Sequence, residues 1–594
     1  MAIGLIAWGR FFKTDAHGNV SRITVPAPPT DPGKPWLADM LRSIAKPLAA
    51  SFEVIQWPNF VKSQGGTGAG ADGYGPVDLR DFGSKNAQGG LETRYGSLEA
   101  FMAAIAALEA HGAVSYGDLV LHQQEGENRG PGLFSFVGAD GVTMDGRGQS
   151  VPGWYRGNTG DDNPIPPFSP QDDVPGRADD APFGRERCYQ NCNPPRATTD
   201  DAIDAFTAQV KRTGAKGFRF DDAKGVYSPF VAELMNGSDL PFYSEFFDGD
   251  PTTLNNWATS YPMESRSAVE DFPLHFSLRA ACNNYNATLL DSSGYWKLNS
   301  ALAVGFVDNP DTDTTVGEQV SLNKGLAYAF MLNLPLRLAL VYGKDYFPSS
   351  VWPGAYGLKP LIDNLCWISR TFAFGAFERR WVDQNVYVYT RDGNGGIAGW
   401  SGGLLIGLNF DTLNPHTVTV ETSFGANQWL HDYTGHAPDI HTNSSGQATI
   451  TIPSNDFSGG QSYVAYAHGG VSKPVATVPR RTTHAFLGDR TRDVMPILNG
   501  DQTLPQRIHV AKGSEITLDL RIDKYGWTAS TNVFVTITGP DAQVIATQRI
   551  CLHDNVTTGG HAIANGFHSI HLTGYGLPPK GSNFEADVTY LGSV

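Results

Sequence analysis

The 594-residue sequence has no apolar run of roughly 18 residues, the length that a membrane-spanning helix requires. Positive charge is also scarce, because 44 lysines and arginines face 60 aspartates and glutamates and give a formal net charge of −16 at pH 7. A nucleic acid or an anionic membrane surface is bound through clustered Lys and Arg side chains. We therefore expect no nucleic acid and no membrane as partner, and a neutral ligand is the natural alternative.

Cysteine is rare as well, and the five cysteines form no spacing that is typical of a metal site. Cys188 and Cys192 could pair locally, but buried free thiols are the state that we expect. The stretch MAIGLIAWGRFF at the start of the sequence lacks both the length and the charged start of a secretory signal. The chain is accordingly expected to be cytoplasmic, or secreted if its signal has been removed.

What the sequence does contain, up to residue 384, is a repeated pattern of amphipathic helices and short apolar strands. Residues 97–112 (SLEAFMAAIAALEAHG) carry apolar side chains on one face and end in glycine, which predicts a helix, and residues 113–121 (AVSYGDLVL) predict the strand that follows. The unit recurs as helix 199–214 and strand 215–220. Helix-then-strand units on this scale favour an α/β fold, a (β/α)8 TIM barrel.

Two features interrupt or follow the barrel pattern. A Gly-, Pro-, Asp- and Asn-rich segment of about 75 residues lies between two barrel units, and so long a loop is usually functional. From residue 385 the pattern changes to alternating strands with turn residues, and after the Pro-containing linker 469–481 a second all-β run begins. The predicted domains are the catalytic barrel (1–122 and 200–384), an inserted domain B (123–199), a β-sandwich (385–468), and an additional β-sandwich with a possible carbohydrate-binding role (480–594).

Acidic residues stand at three predicted strand ends, which is where a parallel barrel places its functional groups. GFRFDDAKG puts Arg219 and Asp221 on one side of a strand, PFYSEFFDGD provides Glu245, and GFVDNPDT provides Asp308 and Asp311. Two carboxylates of differing pKa are what retaining glycoside cleavage needs. An adjacent arginine would favour the ionised form of a carboxylate that acts as nucleophile. Taken singly, any one of these acids is more often a helix cap or a surface group.

Taken together and in this order, the motifs resemble the α-amylase family, glycoside hydrolase family 13, over roughly residues 50–468. GFRFDDAKG is similar to that family's G-F-R-x-D-x-x-K-H, and FVDNPDT to its F-V-D-N-H-D-T. YGDLVLHQ sits where the family has D-V-V-x-N-H, and Glu245 falls at the acid/base motif. The flanking stretches that also resemble the family are DGYGPVDLRDFG (72–83), LVYGKDYF (340–347) and the segment 361–393.

The resemblance implies a role for each matching residue. Asp221 would be the nucleophile, Glu245 the general acid/base, and Asp311 the carboxylate that grips the sugar hydroxyls. Arg219 would orient Asp221. The further substrate-binding positions are Tyr74, which would stack on the sugar ring, Asp118, which would buttress the site, and Gln123, Lys224, Asn309 and Pro310.

The sequence departs from the family pattern at the three positions where a histidine usually contacts sugar. Gln123, Gly225 and Pro310 stand there instead, and of these only Gln123 can still donate a hydrogen bond from its side chain. The family's calcium site also changes, because His122 replaces an asparagine ligand and RCYQNCNPP (187–195) offers no acid. No cofactor is expected to be required, and calcium is possible at a degraded site. A zinc site from His122 with Cys188 or Cys192 is conceivable, but a packed histidine is the better interpretation.

The sequence thus predicts a retaining α-amylase-type hydrolase that acts on α-glucosidic bonds of starch-like glucans or maltooligosaccharides. The altered subsites leave a second possibility, a transglycosylase or an α-glucosidase of unusual sugar or linkage specificity. A third is a carbohydrate-binding protein that kept the fold and lost most turnover. Survival of the three carboxylates and Arg219 favours an enzyme.

Overall fold

A computed structural model describes residues 2–7, 12–14, 20–22, 36–63, 71–84, 88, 90–125, 185–189, 195–348, 355–455, 462–472, 480–487, 499–503, 508–522, 524–554, 556–579, 582 and 584–591. The chain divides into two compact units. Unit 1 comprises Met1–Val25 and Tyr243–Val475, and unit 2 comprises Pro26–Phe242 and Ala476–Val594. Cys192 and most of the predicted domain B lie outside the described residues.

Eight strands form a closed barrel, which confirms the predicted fold class. Neighbouring strands within each unit are parallel. Their residues are almost all buried, as expected for a parallel sheet that is covered on both faces. In chain order the barrel strands are β1 (Ala2–Ile6), β2 (Val54–Gln56), β3 (Val114–Leu119), β4 (Gly217–Phe220), β5 (Phe242–Ser244), β6 (Ala268–Glu270), β7 (Ala303–Phe306) and β8 (Leu338–Tyr342).

Among its described residues, unit 2 has five α-helices, and the predicted helix 97–112 is found as Leu98–His111. Ser97 caps its first turn by accepting a hydrogen bond from the Ala100 N–H, and Gly112 ends it in the left-handed region with φ of 110°. The other four helices are Leu37–Ser43, Ala45–Ser51, Ala197–Thr213 and Ser228–Asn236.

Helix Leu98–His111 is buried on nearly every side, although its sequence predicts only one apolar face. The reason is that Ala110 belongs to the hydrophobic core of the last β-domain, so the helix is covered on a second face. Arg42 also lies over the ring of Phe567 from that domain, 5.6 Å from its centroid. Its strands are Arg480–Leu487, Gly500–Thr503, Ile508–Val510, Glu515–Ile522, Asn532–Thr538, Val544–Ile550, Val556–His561, Gly566–Tyr575 and Phe584–Leu591, arranged in two sheets.

Unit 1 joins the second half of the barrel to the other β-domain. Arg391 donates from Nη1 to the Asn333 carbonyl O at 2.6 Å and Tyr389 donates to the Phe330 carbonyl O at 3.1 Å, which fixes the β-domain against helix Lys324–Met331. The remaining helices are Pro251–Thr259, Phe272–Asn283, Trp296–Asn299, Gly343–Tyr346 and Lys359–Phe372. The strands of the β-domain are Phe377–Val382, Val386–Arg391, Leu404–Asn409, His416–Glu421, Trp429–Asp432, Ile440–His441, Gln447–Ile452 and Tyr463–His468.

Three short antiparallel pairs complete the described elements: Phe12–Thr14 with Val20–Arg22, Lys62–Ser63 with Pro76–Asp78, and Gln123–Gln124 with Arg185–Glu186. Cys188, Cys282 and Cys366 are buried thiols that form no disulfide. In the part of the chain that the structure describes, no helix is long and apolar enough to span a membrane. The exact domain boundaries given by the sequence stay predictions.

Candidate active site

The predicted site residues of unit 2 stand on two adjacent barrel strands. Asp118 lies near the end of β3, Arg219 lies on β4, and Asp221 follows β4 directly. The parallel register pairs Arg219 with Asp118, so the two side chains start side by side. All three residues are buried, with Asp118 fully so.

One guanidinium nitrogen of Arg219 holds two carboxylates. Nη1 donates to both oxygens of Asp118 at 3.0 and 2.9 Å, and to Asp221 Oδ1 at 2.7 Å. Tyr74 donates its hydroxyl to Asp118 Oδ2 at 2.7 Å, and the Gln56 side-chain amide approaches the same oxygen at 3.4 Å. We call Arg219, Asp118, Asp221 and Tyr74 the Arg219 cluster.

Asp221 differs from Asp118 in how many of its carboxylate oxygens accept a hydrogen bond. Its Oδ1 accepts from Arg219, whereas no donor among the described residues lies within hydrogen-bond distance of Oδ2. Burial is the largest influence on this carboxyl and raises its pKa to about 7, although the Arg219 guanidinium opposes the increase. The sequence indicated the arginine but not the burial, which here has the stronger effect. The site therefore holds a carboxylate with one oxygen available.

Two other predicted site residues of unit 2, Tyr74 and Gln123, use their side chains for hydrogen bonds within the protein. Tyr74 is 6% exposed and its hydroxyl is used by Asp118, which leaves its ring as the part that could meet a sugar. Gln123 donates from its side-chain amide to the Tyr74 carbonyl O at 2.7 Å. Gln123 thereby positions the Tyr74 backbone. The segment Ala223–Gly225, which contains Lys224, forms one 3₁₀ turn after β4, beyond Asp221 and Asp222.

Asp222, next to the predicted nucleophile, has a left-handed backbone with φ of 42°, which is rare for a residue other than glycine. Its Oδ2 lies 2.8 Å from Nδ1 of His122, which is buried as predicted. The pair links the end of β3 to the turn after β4. In the described residues no group of three or more His, Cys, Asp or Glu side chains is arranged to hold a metal ion.

In unit 1, Glu245 follows β5 directly and is 9% exposed. The residue before it, Ser244, is tied to Ser267 by a 2.8 Å hydroxyl contact, and Phe246 packs on Trp257 with ring centroids 5.0 Å apart. Polar and apolar contacts thus fix the backbone on both sides of Glu245. This is the support that a general acid/base would need in order to keep a fixed position.

The turn after β7 carries Asp308, Asn309, Pro310 and Asp311. Asn309 organises it, because its Oδ1 accepts from the backbone N–H groups of Asp311 at 3.0 Å and Thr312 at 2.9 Å. Its own N–H donates to the Thr312 hydroxyl at 3.0 Å. These contacts place the side-chain oxygen Oδ1 of Asn309 inside the turn. That Asn309 contacts substrate stays a prediction.

Beneath this turn lies a set of residues that the sequence reasoning missed. Lys324 donates to Asp308 Oδ2 and its Nζ lies 2.9 Å from Asp345 Oδ1, and Tyr328 donates to Asp345 Oδ2 at 2.7 Å. Asp308 Oδ1 also accepts from the Thr312 hydroxyl and the Val320 N–H, both at 3.2 Å. We call Lys324, Asp308, Asp345 and Tyr328 the Lys324 cluster.

Burial raises the pKa of both Asp308 and Asp345 to about 6, against the opposing charge of Lys324. The pKa of Lys324 is raised, because the two carboxylates outweigh the effect of its burial. Glu270, another missed residue, ends β6 and lies 3.5 Å from the Asn309 side-chain nitrogen. The signals that could have found these residues are a lysine at the start of an otherwise apolar helix and an acid at the end of an apolar strand.

Comparison with the sequences of known proteins finds relatives of low identity. A glucan 1,4-α-maltohexaosidase of Bacillus sp. (strain 707) is 23% identical over 437 residues, which cover 64% of this chain and 79% of that protein. The α-amylase of Geobacillus stearothermophilus is 25% identical over 477 residues, 70% of this chain and 80% of its own. The protein is similar to α-amylases. No protein-family profile matches this α-amylase-like chain.

Solved structures show the same fold. The α-amylase of Geobacillus thermoleovorans, crystallised with acarbose, superposes with a TM-score of 0.54 at 14% identity and covers 78% of this chain and 97% of its own. A γ-CGTase of the alkalophilic Bacillus clarkii has the same TM-score and identity, and covers 98% of this chain and 95% of its own. The likeness to an α-amylase fold therefore covers most of this chain, and the second neighbour covers nearly the whole chain.

Proposed function

We propose that this protein is a retaining α-glycoside hydrolase of the α-amylase type that cleaves α-glucosidic bonds of starch-like glucans or maltooligosaccharides. Three lines of support agree. The relatives in sequence are α-amylases and a maltohexaosidase. The barrel is the fold of α-amylases. Acidic residues follow strands β4, β5 and β7, and a parallel barrel carries its catalytic groups at such strand ends.

The observation that carries the proposal is the half-satisfied carboxylate of Asp221. Arg219 holds Oδ1, and Oδ2 has no protein donor among the described residues. In the first step Asp221 Oδ2 attacks the anomeric carbon while Glu245 gives its proton to the departing glycosidic oxygen. In the second step the Glu245 carboxylate takes a proton from water, which attacks the same carbon and releases Asp221. Two inversions retain the α configuration.

The remaining residues are proposed to bind and position. Asp311 would accept hydrogen bonds from sugar hydroxyls, and Tyr74 would offer its ring face to the sugar. Asp118 has both oxygens occupied by Arg219 and Tyr74, so its role is to hold those two groups. Lys224 would border the sugar from the turn after β4.

Specificity is proposed to depart from that of the usual family member at the three positions without histidine. Gly225 and Pro310 have no side-chain donor, and the Gln123 amide is already used by the Tyr74 carbonyl O. Each missing donor removes on the order of 1–3 kcal/mol of sugar recognition. This supports a shifted sugar or linkage preference, or transfer to another sugar in place of hydrolysis.

Product analysis on starch, maltooligosaccharides and sucrose tests the function. We expect reducing ends or transfer products from the wild type, and a loss of at least roughly 10³-fold in Asp221→Asn and Glu245→Gln. Asp204→Asn, the same change on an exposed helix face, is the matched control and should keep full activity. Cleavage that survives unchanged in either site variant contradicts the proposal, and sugar affinity without product supports the alternative of a binding protein.

A further inference from the structure

The two described ends of the inserted segment, residues 123–125 and 185–189, form what we call its stem. The stem contains an arginine that is almost completely buried. Arg187 follows the short pair Gln123–Gln124 with Arg185–Glu186, and only 1% of it is exposed. Its backbone N–H donates to the His122 carbonyl O at 2.8 Å. A guanidinium keeps its charge in proteins, so burying it is costly unless acceptors surround it. Its neighbours therefore indicate what this fixed positive charge does.

The acceptors around Arg187 come from three separate segments. Nη1 donates to Gln124 Oε1 at 2.8 Å, and Nη2 donates to Asp201 Oδ2 at 2.6 Å and approaches the Thr198 carbonyl O at 3.4 Å. Nε donates to the Tyr189 hydroxyl at 3.2 Å. The Arg187 guanidinium is thus surrounded by four oxygens, which belong to the strand Gln123–Gln124, to Tyr189 and to helix Ala197–Thr213.

Asp201 is the negative partner in this arrangement. Burial would raise the pKa of its carboxyl, but Arg187 and Arg80 together hold that pKa below its ordinary value. Arg80 lies 2.8 Å from Asp201 Oδ1 and donates to the Asp201 carbonyl O at 2.9 Å. Tyr189 in turn donates to the Leu121 carbonyl O at 2.5 Å. The network ties the segment after β3 to the helix before β4.

Calcium, which α-amylases are expected to hold near this position, does not fit the described residues around His122 and Arg187. Calcium prefers six to eight oxygen ligands. His122 offers a nitrogen in place of an asparagine oxygen, its Nδ1 contacts Asp222, and its carbonyl O is occupied by Arg187. A dication would also be repelled by the fixed charge of Arg187 across a short distance.

We propose that the Arg187 guanidinium is the internal cation that joins the stem of the insert to the barrel, in place of a bound calcium ion. It gathers oxygens from separate segments and neutralises a partly buried carboxylate, as a structural metal would. The consequence is a stem whose stability is independent of calcium. The proposal does not depend on the reaction that the barrel catalyses.

Chelation of the wild-type protein is the first test. After dialysis against EGTA, the thermal unfolding midpoint should stay within about 2 °C of its value with millimolar calcium chloride. Activity, once measured, should show the same independence. A fall in the midpoint that calcium restores would overturn the proposal. This arm uses unfolding alone, so it can fail or succeed whether or not the protein cleaves glucans.

Substitution of the arginine is the second test. Arg187→Ala should lower the unfolding midpoint by roughly 5 °C or more, because it leaves the partly buried Asp201 with one guanidinium in place of two and removes the donor to three other buried oxygens. About 50 mM guanidinium, far below denaturing concentrations, should recover part of that loss in this variant only. Arg196→Ala is the matched control: Arg196 stands before the same helix with its side chain 56% exposed, and a change within about 2 °C is expected.

If Arg187→Ala does not fold, Arg187→Lys supplies the same comparison, since lysine keeps the charge but cannot span the four oxygens. Its midpoint should lie below that of the wild type and be unchanged by calcium. A midpoint for Arg187→Ala or Arg187→Lys equal to that of the Arg196 control, or one that calcium raises as strongly as guanidinium does, would overturn the proposal.

Discussion

The Arg219 cluster and the Lys324 cluster use the same device, one buried cation shared by two carboxylates. Arg219 lies between Asp118 and Asp221, and the three side chains are 6%, 0% and 9% exposed. Lys324 lies between Asp308 and Asp345, and here the exposures are 5%, 0% and 0%. In both clusters burial raises the pKa of a carboxyl against the charge of the cation.

The two clusters differ in how completely their carboxylate oxygens are used. Asp308 accepts from Lys324, the Thr312 hydroxyl and the Val320 N–H, so neither oxygen remains available. Asp221 keeps Oδ2 without a donor among the described residues. A satisfied buried network fixes structure, whereas a carboxylate with an available oxygen can attack or bind. Burial and pairing are common to Asp221 and Asp308, so the available Oδ2 of Asp221 is the feature that supports its proposed role as nucleophile.

The largest expected effect that separates the clusters comes from removing each cation in turn. Arg219→Met should lower kcat by roughly 10³-fold or more, because the Asp221 carboxylate loses the donor to Oδ1 that orients it. Lys324→Met should mainly destabilise the fold, by about 3–5 kcal/mol, because two buried carboxylates lose their cation. Kinetics at low temperature and denaturant unfolding of both variants measure the two quantities. Equal ratios of lost activity to lost stability would show that the clusters do not differ in role.

Much of the first cluster could be predicted from the sequence, and little of the second. Arg219 and Asp221 are two residues apart in a strand, so the period of two places them on one side. The pairing of Arg219 with Asp118 depends on strand register, which a motif match supplies and periodicity does not. The fold class was also accessible, because helix and strand patterns alternate over a long stretch of chain.

The Lys324 cluster was missed because its members are scattered among residues with ordinary explanations. Lys324 starts the apolar helix Lys324–Met331, where a lysine at the first position suggests an exposed charge. Asp345 follows β8 in a short helix and could be a surface residue. Only the packing of the helix against the turn after β7 brings both to Asp308. Because the three residues are far apart in the sequence, no local pattern links one of them to another.

A moderate effect is expected from pH, and it tests the available carboxylate directly. Asp221 must be ionised to attack, and its pKa is raised to about 7, so kcat/KM should fall about tenfold per pH unit below that value. Asp222 contributes to the increase through its negative charge. Asp222→Asn should therefore move the acid limb of the profile to lower pH. The Asp204→Asn control should not move it, and a wild-type limb near pH 4 would mean that Arg219 outweighs burial.

The smallest effect is expected in the turn that the Lys324 cluster supports. Pro310 fixes its own φ, but Asn309 already accepts from the N–H groups of Asp311 and Thr312, so the turn has a second constraint. Pro310→Ala should cost only about 0.4–1 kcal/mol of stability and leave kcat within a few-fold. Asn309→Ala should cost more activity, because the Asp311 backbone loses its acceptor. If Pro310→Ala proves the more damaging variant in kcat on maltooligosaccharides, the proline ring and not the asparagine amide holds Asp311 in place.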